Sequence, residues 1–262
     1  MRIAALYDIH GNLPALDAVL ADVQRARVDR IVIGGDVLPG PMPRETLARL
    51  QSLDVPVDFL RGNGDRETLD ESPDRPSRIP EAGRRQLRWC QAQLDDGQRA
   101  AIAAWPAHVR LEVDGLGAVH FCHATPRSDE EVVTHLIPEA LLRPIVDGVA
   151  DVVVCGHTHV QFDVMVGRTR FVNAGSVGMP FEKPGAYWLL LDAGRPEDLQ
   201  RRNAIELRRT SYDLEAAAAR VRGTEFPDAE QFASVYILQP PDMLQMFTQF
   251  GLEALKAAGH GA

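Results

Sequence analysis

Hydrophobic and polar positions follow two different rhythms in the first hundred residues. Short apolar runs at 3–7, 31–33 and 55–60 have the length of buried strands, whereas segments 14–27 and 46–53 carry apolar residues at helical spacing. Strands that alternate with helices are typical of a parallel α/β sheet. The pattern therefore predicts an α/β fold for this half of the chain, continued by a helix over 81–94.

The second half of the chain has a different pattern. Runs 109–113 and 118–122 flank Asp114-Gly115-Leu116-Gly117, which is a strong hairpin signal. Further short β runs occur at 152–155, 162–166, 170–172 and 187–191. We expect these runs to supply antiparallel strands to a second sheet.

The pattern becomes helical again after about residue 211, so we expect a main domain over 1–210 and a helical extension over 211–262. Segment 215–221 is rich in alanine, and an apolar stripe follows at i, i+3, i+4 and i+7, made of Met243, Met246, Phe247, Phe250 and Ala254. The stripe either covers the core of its own domain or forms a lid or a homo-oligomer interface.

Composition narrows the class of protein. The chain has 262 residues, of which 45% are hydrophobic and 25% charged, and this usage excludes a disordered or disulfide-framework chain. Its three cysteines form no C-x-x-C pair. Asp8 interrupts the first apolar run before it could serve as a signal peptide, and no segment approaches the roughly 18 apolar residues of a membrane span. We expect a cytoplasmic protein without a membrane partner.

Polar side chains follow directly after five of the apolar runs. Open α/β sheets gather their binding residues at the carboxyl ends of strands, so these clusters are expected to meet. They are Asp8-x-His10, Gly35-Asp36, Gly62-Asn63-Gly64-Asp65, His123 and Gly156-His157-Thr158-His159.

The clusters share a chemistry as well as a position. Their candidate ligands are the carboxylates of Asp8 and Asp36, four imidazoles and the amide of Asn63. Imidazole and carboxylate ligands suit Mn, Fe, Ni or Zn, and the lack of a cysteine pattern argues against a structural zinc site. Seven side chains are too many for one ion, so the sequence predicts a site for two.

The ordered set resembles the calcineurin-like metallophosphoesterase superfamily, in particular its small bacterial phosphoesterases of the diadenosine tetraphosphatase type. The resemblance spans about residues 1–192 and implies an α/β/β/α sandwich of two sheets with a dinuclear metal centre at the strand ends. The motifs that carry it are Asp8-Ile9-His10-Gly11-Asn12, Gly35-Asp36, Gly62-Asn63-x-Asp65, His123-Ala124-Thr125-Pro126, Gly156-His157-Thr158-His159 and Asn173-Ala174-Gly175-Ser176-Val177.

The resemblance also implies a role for each ligand. One metal ion takes Asp8, His10 and His159, the other takes Asn63, His123 and His157, and Asp36 bridges them. Manganese is the expected metal, with Fe, Ni or Zn as alternatives. Asp36, Asn63 and His123 are also the expected catalytic residues. A hydroxide held between two ions about 3.5–4 Å apart would attack a small phosphate mono- or diester, such as a nucleotide or dinucleoside polyphosphate.

One position departs from the family pattern. Many relatives carry a histidine between the Asn and the Asp of the third motif, where this chain has Gly64. Because that histidine is thought to assist the leaving group, its loss predicts a preference for activated or phosphoryl leaving groups. Substrate contacts are expected from Asn12, Asp65 and Arg66, and the loop arginines at 75 and 78 could add a phosphate clamp.

Other functions fit the sequence less well. Ser176 nearly matches a nucleophile elbow, but His260 is the one histidine after it, so the order required of a serine hydrolase is missing. A catalytically silent scaffold with the same fold, like the retromer subunit, is the alternative, although all seven ligand positions are filled here. His120, three residues before His123 on an extended run, should point to the opposite face and is interpreted as structural.

The net charge of −9 does not conflict with phosphate chemistry. Two divalent ions would outweigh the charges of Asp8, Asp36 and a hydroxide, because bound metals are often the largest local charges. Long polyanions, however, would be repelled by the acidic surface. We therefore expect a small phosphoester as the substrate and no nucleic-acid partner.

Overall fold

Two five-stranded mixed sheets pack face to face between layers of helices in the computed structural model, which describes residues 1–74, 76–192, 204–242 and 246. The predicted α/β/β/α sandwich is confirmed. Ile3 and Leu189 of the first sheet and Phe121 and Val154 of the second lie in the apolar layer between the sheets. Burial of this layer is the main force that holds the sheets together.

The first sheet has the strand order β10-β9-β1-β2-β3. Its strands are β1 (Arg2–Leu6), β2 (Arg30–Ile33), β3 (Val57–Phe59), β9 (Ala186–Asp192) and β10 (Ile205–Thr210). β1, β2 and β3 are parallel, as predicted. The expectation that run 187–191 belongs to the second sheet was wrong, because β9 pairs antiparallel with β1. Every residue from Ala186 to Leu191 is buried, so this strand is covered on both faces.

The second sheet has the strand order β4-β5-β6-β8-β7. Its strands are β4 (His108–Val113), β5 (Gly117–Cys122), β6 (Val152–Cys155), β7 (Phe162–Val166) and β8 (Thr169–Asn173). The hairpins β4–β5 and β7–β8 are antiparallel, but β5, β6 and β8 are parallel. The all-antiparallel expectation was therefore wrong, because a long helical connection returns the chain to the start of β6.

The helices flank both sheets. They are α1 (Leu13–Ala26), α2 (Pro43–Gln51), α3 (Asn63–Asp70), α4 (Glu81–Gln93), α5 (Asp96–Ala103), α6 (Glu139–Val146), α7 (Leu214–Arg222) and α8 (Ala229–Phe232), followed by a π-helical turn (Ala233–Leu238). α1, α2, α4 and α7 correspond to predicted helical segments, α8 lies within the predicted helical extension, and α3, α5 and α6 were not anticipated. Within the described part of the chain, no helix combines the length and apolar character needed to cross a membrane.

The segment after β10 packs against the helical layer of the first sheet. Val221 of α7, Phe232 of α8 and Ile237 of the π-helical turn are buried in the same apolar cluster as Leu16 of α1. This part of the extension is helical, as predicted. Of the expected apolar stripe, only Met246 lies within the described residues, and the loop arginine at 75 also lies outside them.

Candidate metal centre

The loops that follow β1, β2, β5 and β6 are tied to one another through their backbones. The N–H of Asp8 donates to Gly35 O at 3.1 Å, and the N–H of His10 donates to Asp36 O at 3.0 Å. The N–H of Gly156 donates to His123 O at 2.8 Å. These bonds place the predicted motifs at one edge of the sandwich, where the carboxyl ends of parallel strands meet.

Backbone strain is concentrated at these loops. Among the described residues, seven other than glycine have a positive φ, and five of those are predicted ligands: Asp8, His10, Asp36, His157 and His159. A left-handed conformation is costly for a residue with a side chain, and such residues cluster at sites where geometry must be held. The strain therefore marks the loops as a functional site independently of their residue types.

The first predicted set of ligands is assembled. Asp8, His10 and His159 form one compact group of potential ligand atoms. His10 Nε2 and His159 Nε2 lie 3.3 Å apart, and Asp8 Oδ1 lies 3.4 Å from His159 Nε2.

A second group contains Asp8, Asp36 and His123. Asp36 Oδ1 lies 3.5 Å from His123 Nε2, while Asp36 Oδ2 lies 3.8 Å from His10 Nε2. Asn63 Oδ1 is 3.0 Å from His123 Nε2. Asp36 thus turns one oxygen to each group, as a bridging carboxylate would.

His157 stands slightly apart from these groups. Its ring packs edge-on against His123 with 5.2 Å between centroids. The backbone N–H of His157 donates to Asp8 Oδ2 at 2.9 Å. Burial, followed by the neighbouring His123, lowers the pKa of His157 to about 4. The ring is therefore neutral near pH 7, which is the form that binds a metal.

Hydrogen bonds to backbone carbonyl groups fix the ring orientation of three of the histidines. Nδ1 of His10, His123 and His159 lies 3.1, 3.0 and 2.7 Å from the carbonyl oxygens of Pro39, Gly34 and Met179, respectively. A carbonyl only accepts, so each Nδ1 carries the proton and each Nε2 faces the site. Such outer hydrogen bonds are a regular feature of metal-ligating histidines.

These residues fit divalent cations. Asp8 Oδ1 is fully buried and has no hydrogen-bond partner among the described residues. The Nε2 atoms of His10 and His159, which are not used in the carbonyl contacts, lie 3.3 Å apart. A buried carboxylate oxygen without a partner is unfavourable unless positive charge lies beside it, and a metal ion provides that charge.

The charges of Asp36 and His123 also indicate that the site is built for a cation. Burial opposes ionisation of both groups, but their mutual attraction prevails. The pKa of Asp36 falls below its usual range, and Asp36 and Asp8 raise the pKa of His123 to about 10. The carboxylates thus demand a cation, and metal binding would release the His123 proton.

Two of the predicted substrate-binding residues, Asn12 and Asp65, form hydrogen bonds within the protein. Asn12 Oδ1 accepts the N–H of Ala15 as the cap of α1, and Asn12 Nδ2 donates to Gly178 O at 3.0 Å. Asp65 is fully buried and accepts backbone N–H groups from Gly62, Asp36 and Leu38. Their proposed contacts with substrate stay predictions, but their polar atoms already have partners.

The third predicted substrate-binding residue, Arg66, forms ion pairs. Its guanidinium contacts Asp129 at 2.8 Å and Glu130 at 2.5 Å. Two carboxylates neutralise its charge, so it presents little free positive charge to an anion. Arg78 lies in a different cavity, which it shares with Glu67, Asp70 and other acidic residues.

Arg61 is a residue that sequence reasoning missed. It directly precedes the Gly62-Asn63 motif and lines a cavity of about 310 Å³ together with His123 and Arg127. No described carboxylate forms an ion pair with Arg61, unlike Arg127, which pairs with Glu131. Its position next to a predicted ligand motif was the available signal.

Gly64 is required by close packing. Its N–H donates to Asp36 Oδ1 at 2.7 Å. A Cβ at this position would lie 2.5 Å from Leu38 O and 3.1 Å from Asp36 Oδ1. The local backbone therefore does not accommodate the histidine that many relatives have here.

Comparisons with known proteins identify chains of similar sequence and fold. The chain is 25% identical over 247 residues to the uncharacterized protein MJ0912 of Methanocaldococcus jannaschii, an alignment that covers 86% of this chain and 94% of that protein. Its fold is similar to that of the hypothetical protein PH1004 of Pyrococcus horikoshii, with a TM-score of 0.76, 20% identity and coverage of 92% and 99%.

A metallophosphoesterase from Sphaerobacter thermophilus has the same fold, with a TM-score of 0.70, 24% identity and coverage of 90% of this chain and 99% of the other. The family model of the calcineurin-like phosphoesterase superfamily domain matches residues 1–195. The match includes every predicted metal ligand. This chain belongs to the calcineurin-like phosphoesterase superfamily.

Proposed function

We propose that this chain is a hydrolase with two divalent metal ions that cleaves a small phosphate mono- or diester. The observation that carries the proposal is the convergence of Asp8, Asp36 and three histidine Nε2 atoms around an unpartnered carboxylate oxygen. Nucleotides and dinucleoside polyphosphates are among the candidate substrates. Manganese is the expected metal, with Fe, Ni or Zn as alternatives.

The residues of the chain hold this site in a fixed geometry. The backbone N–H of His157 donates to Asp8 Oδ2 and leaves Oδ1 directed into the site. The backbone N–H of Gly64 donates to Asp36 Oδ1 and so orients that carboxylate. When bound, the cations supply Lewis acidity to the phosphoryl oxygens and lower the pKa of water. Preorganised ligands of this kind need no rearrangement as the reaction proceeds.

The direct attack of water, without a covalent intermediate, is supported by Ser176. This hydroxyl is fully buried, donates to Asp8 O at 2.8 Å and accepts the N–H of Met179 at 2.8 Å. It is therefore committed to the loop after β1 and is not free to act as a nucleophile.

Arg61 is positioned to bind the anionic part of the substrate. It lines the cavity beside His123 without a carboxylate partner among the described residues. Guanidinium binds phosphate through two parallel hydrogen bonds. This local positive charge offsets the acidic net charge of the chain and favours a small anion.

A cytoplasmic setting accords with the cysteines. Cys90, Cys122 and Cys155 are all buried and free. Unpaired thiols are usual in a reducing compartment.

The test is a metal analysis of the purified protein combined with hydrolysis of p-nitrophenyl phosphate and bis(p-nitrophenyl) phosphate in Mn, Fe, Ni or Zn. Asp36→Asn should lower turnover by at least ~100-fold, the scale on which loss of electrostatic stabilisation acts. Asp114→Asn, at an exposed turn, is the matched control and should keep full activity. A metal-loaded wild-type protein without turnover on any phosphoester would favour the scaffold alternative.

A further inference from the structure

A second cavity opens beside the metal centre on the side of His10. It has a volume of about 140 Å³ and is lined by His10, by Gln86 of α4, and by Phe226, Phe232 and Tyr236. One ordered water needs only about 15 Å³ of such space, so the cavity is large enough for a ring system. A metal ligand in its wall connects this cavity to the reacting centre.

The aromatic part of the wall, made of Phe226, Phe232 and Tyr236, comes from outside the family domain. Residues 226–236 lie beyond the matched segment 1–195. Phe232 packs against Phe226 and Tyr236, with ring centroids 6.0 and 5.4 Å apart. Tyr236 belongs to the π-helical turn, a conformation that often occurs at functional sites.

Tyr236 also connects the cavity to the second histidine of the first group. It packs against the small cluster of Val160 and Phe181, and the Phe181 ring stacks on His159 with 4.7 Å between centroids. The aromatic wall therefore reaches both His10 and His159. A group held in this cavity would lie next to the first set of ligands.

The charges of the two cavities differ. The cavity beside His123 is lined by Arg61, Arg66 and Arg127. The cavity beside His10 has no lysine or arginine in its described wall, and the carboxylate of Asp228 in that wall is paired with Arg85 at 2.8 Å. A phosphate group would find no free cation there, whereas an uncharged ring would find aromatic faces to pack against.

We propose that this cavity takes the planar, uncharged ring carried by the leaving alcohol of the phosphoester, which is the base of a nucleoside or the aryl ring of a phenol. The inference rests on the proposed function, since it assigns the substrate class of the same site. The phosphoryl group lies at the metal ligands, its anionic side faces the arginines, and the ring enters the cavity beside His10. The extension after β10 then determines specificity.

The experiment fills or reshapes this cavity without touching a ligand. Gln231→Trp blocks the exposed rim, and Tyr236→Leu removes a ring while keeping an apolar side chain. Glu215→Trp, at an exposed position of α7 outside the cavity wall, is the matched control for the added tryptophan. We compare kcat/KM on adenosine 5′-monophosphate, p-nitrophenyl phosphate and glycerol 1-phosphate. Comparing each variant with wild type on one substrate at a time cancels the intrinsic reactivity of the leaving groups.

Gln231→Trp and Tyr236→Leu should lower kcat/KM at least ~10-fold on the ring substrates, which is the discrimination expected from a lost pocket contact. Glycerol 1-phosphate hydrolysis by every variant, and all activities of the Glu215→Trp protein, should stay within about twofold of wild type. A larger loss on the nucleotide than on the nitrophenyl ester would assign the ring to a nucleobase, and the reverse to an aryl group. Equal losses on all three substrates, or none, would overturn the proposal.

Calorimetric binding of adenosine and of p-nitrophenol separates this inference from the proposed function. Ring binding that weakens at least ~10-fold in Gln231→Trp and Tyr236→Leu supports the cavity even if wild type hydrolyses no phosphoester, in which case only the proposed function fails. If neither ring binds, or if both bind equally to all variants, the cavity assignment fails while hydrolysis can still stand.

Discussion

The carboxylate of Asp65 accepts the backbone N–H of Asp36 at 2.8 Å and so attaches the third ligand loop to the second. Its other oxygen accepts the N–H of Leu38 at 3.0 Å. A carboxylate without a histidine partner is thus used to hold the bridging residue in place. In this chain, the acidic residue of the third motif positions a ligand through the backbone.

Asp65→Asn should therefore destabilise the protein. One amide NH₂ would face a backbone N–H in place of an accepting oxygen, and a buried unsatisfied donor costs about 1–3 kcal/mol. Urea denaturation of the metal-free protein measures the loss, and metal affinity should weaken in parallel. Asp58→Asn, at the partly exposed ion pair with Arg30, is the control and should change stability by less than about 1 kcal/mol. Unchanged stability in Asp65→Asn would show that these hydrogen bonds do not hold the loops.

Gly64→Ala should disturb the site, and Gly64→His should disturb it more. The added Cβ would meet Leu38 O at 2.5 Å, and the backbone must shift to relieve the contact. We expect both variants to bind metal at least ~10-fold more weakly, because loss of a hydrogen bond that orients a ligand typically lowers metal affinity by that factor or more. Metal titration by calorimetry measures this, with Gly97→Ala as a control because its Cβ contacts begin at 3.3 Å, from a side chain.

Histidine at position 64 would consequently not restore the leaving-group assistance found in many relatives. A Gly64→His protein that binds metal as wild type and hydrolyses alkyl esters faster would contradict this interpretation.

Arg61→Met should raise KM or lower kcat/KM by roughly 10–100-fold. The variant removes a cation without a partner from the cavity beside His123, and a charge-assisted bidentate contact to phosphate is about twice as strong as a neutral hydrogen bond. Steady-state kinetics on p-nitrophenyl phosphate at saturating metal measures the effect.

Arg66→Met is the informative comparison, because Arg66 lines the same cavity but is paired with Asp129 and Glu130. We expect its kcat/KM to change less than that of Arg61→Met. The reverse ranking would restore the sequence-based assignment of Arg66 to substrate binding.

Stability should fall as the pH decreases from 7 to 5, in part through His120. This ring is 2% exposed, and its Nδ1 accepts from Arg110 at 2.9 Å. Burial, then the neighbouring His108 and Arg110, lowers its pKa to about 4. The unfolded chain, with a histidine pKa near 6.5, binds more protons between these values, so unfolding becomes easier as the pH falls.

The expected contribution is about 2 kcal/mol between pH 7 and pH 5. Urea denaturation in a chelating buffer should show a smaller loss over this range in His120→Leu than in wild type. Equal losses in the two proteins would mean that His120 does not titrate in this way.

The sequence by itself determined which residues are the candidate ligands. Each predicted ligand follows a short apolar run, and a strand followed by a polar loop is a local pattern that a single chain displays. Because parallel strands end at one edge, this local pattern is enough to predict that Asp8, Asp36 and His123 meet there. The boundaries of the early strands and helices follow the same local periodicity.

The tertiary structure alone decided what the neighbouring residues do. Asp65 reaches a backbone N–H 27 residues away, and Arg66 is neutralised by an acid 63 residues away. The placement of β9 beside β1 and of Tyr236 beside the metal centre likewise depends on contacts between distant segments. Local periodicity reports which face of an element is buried but not which distant partner buries it, so these roles depend on the folded chain.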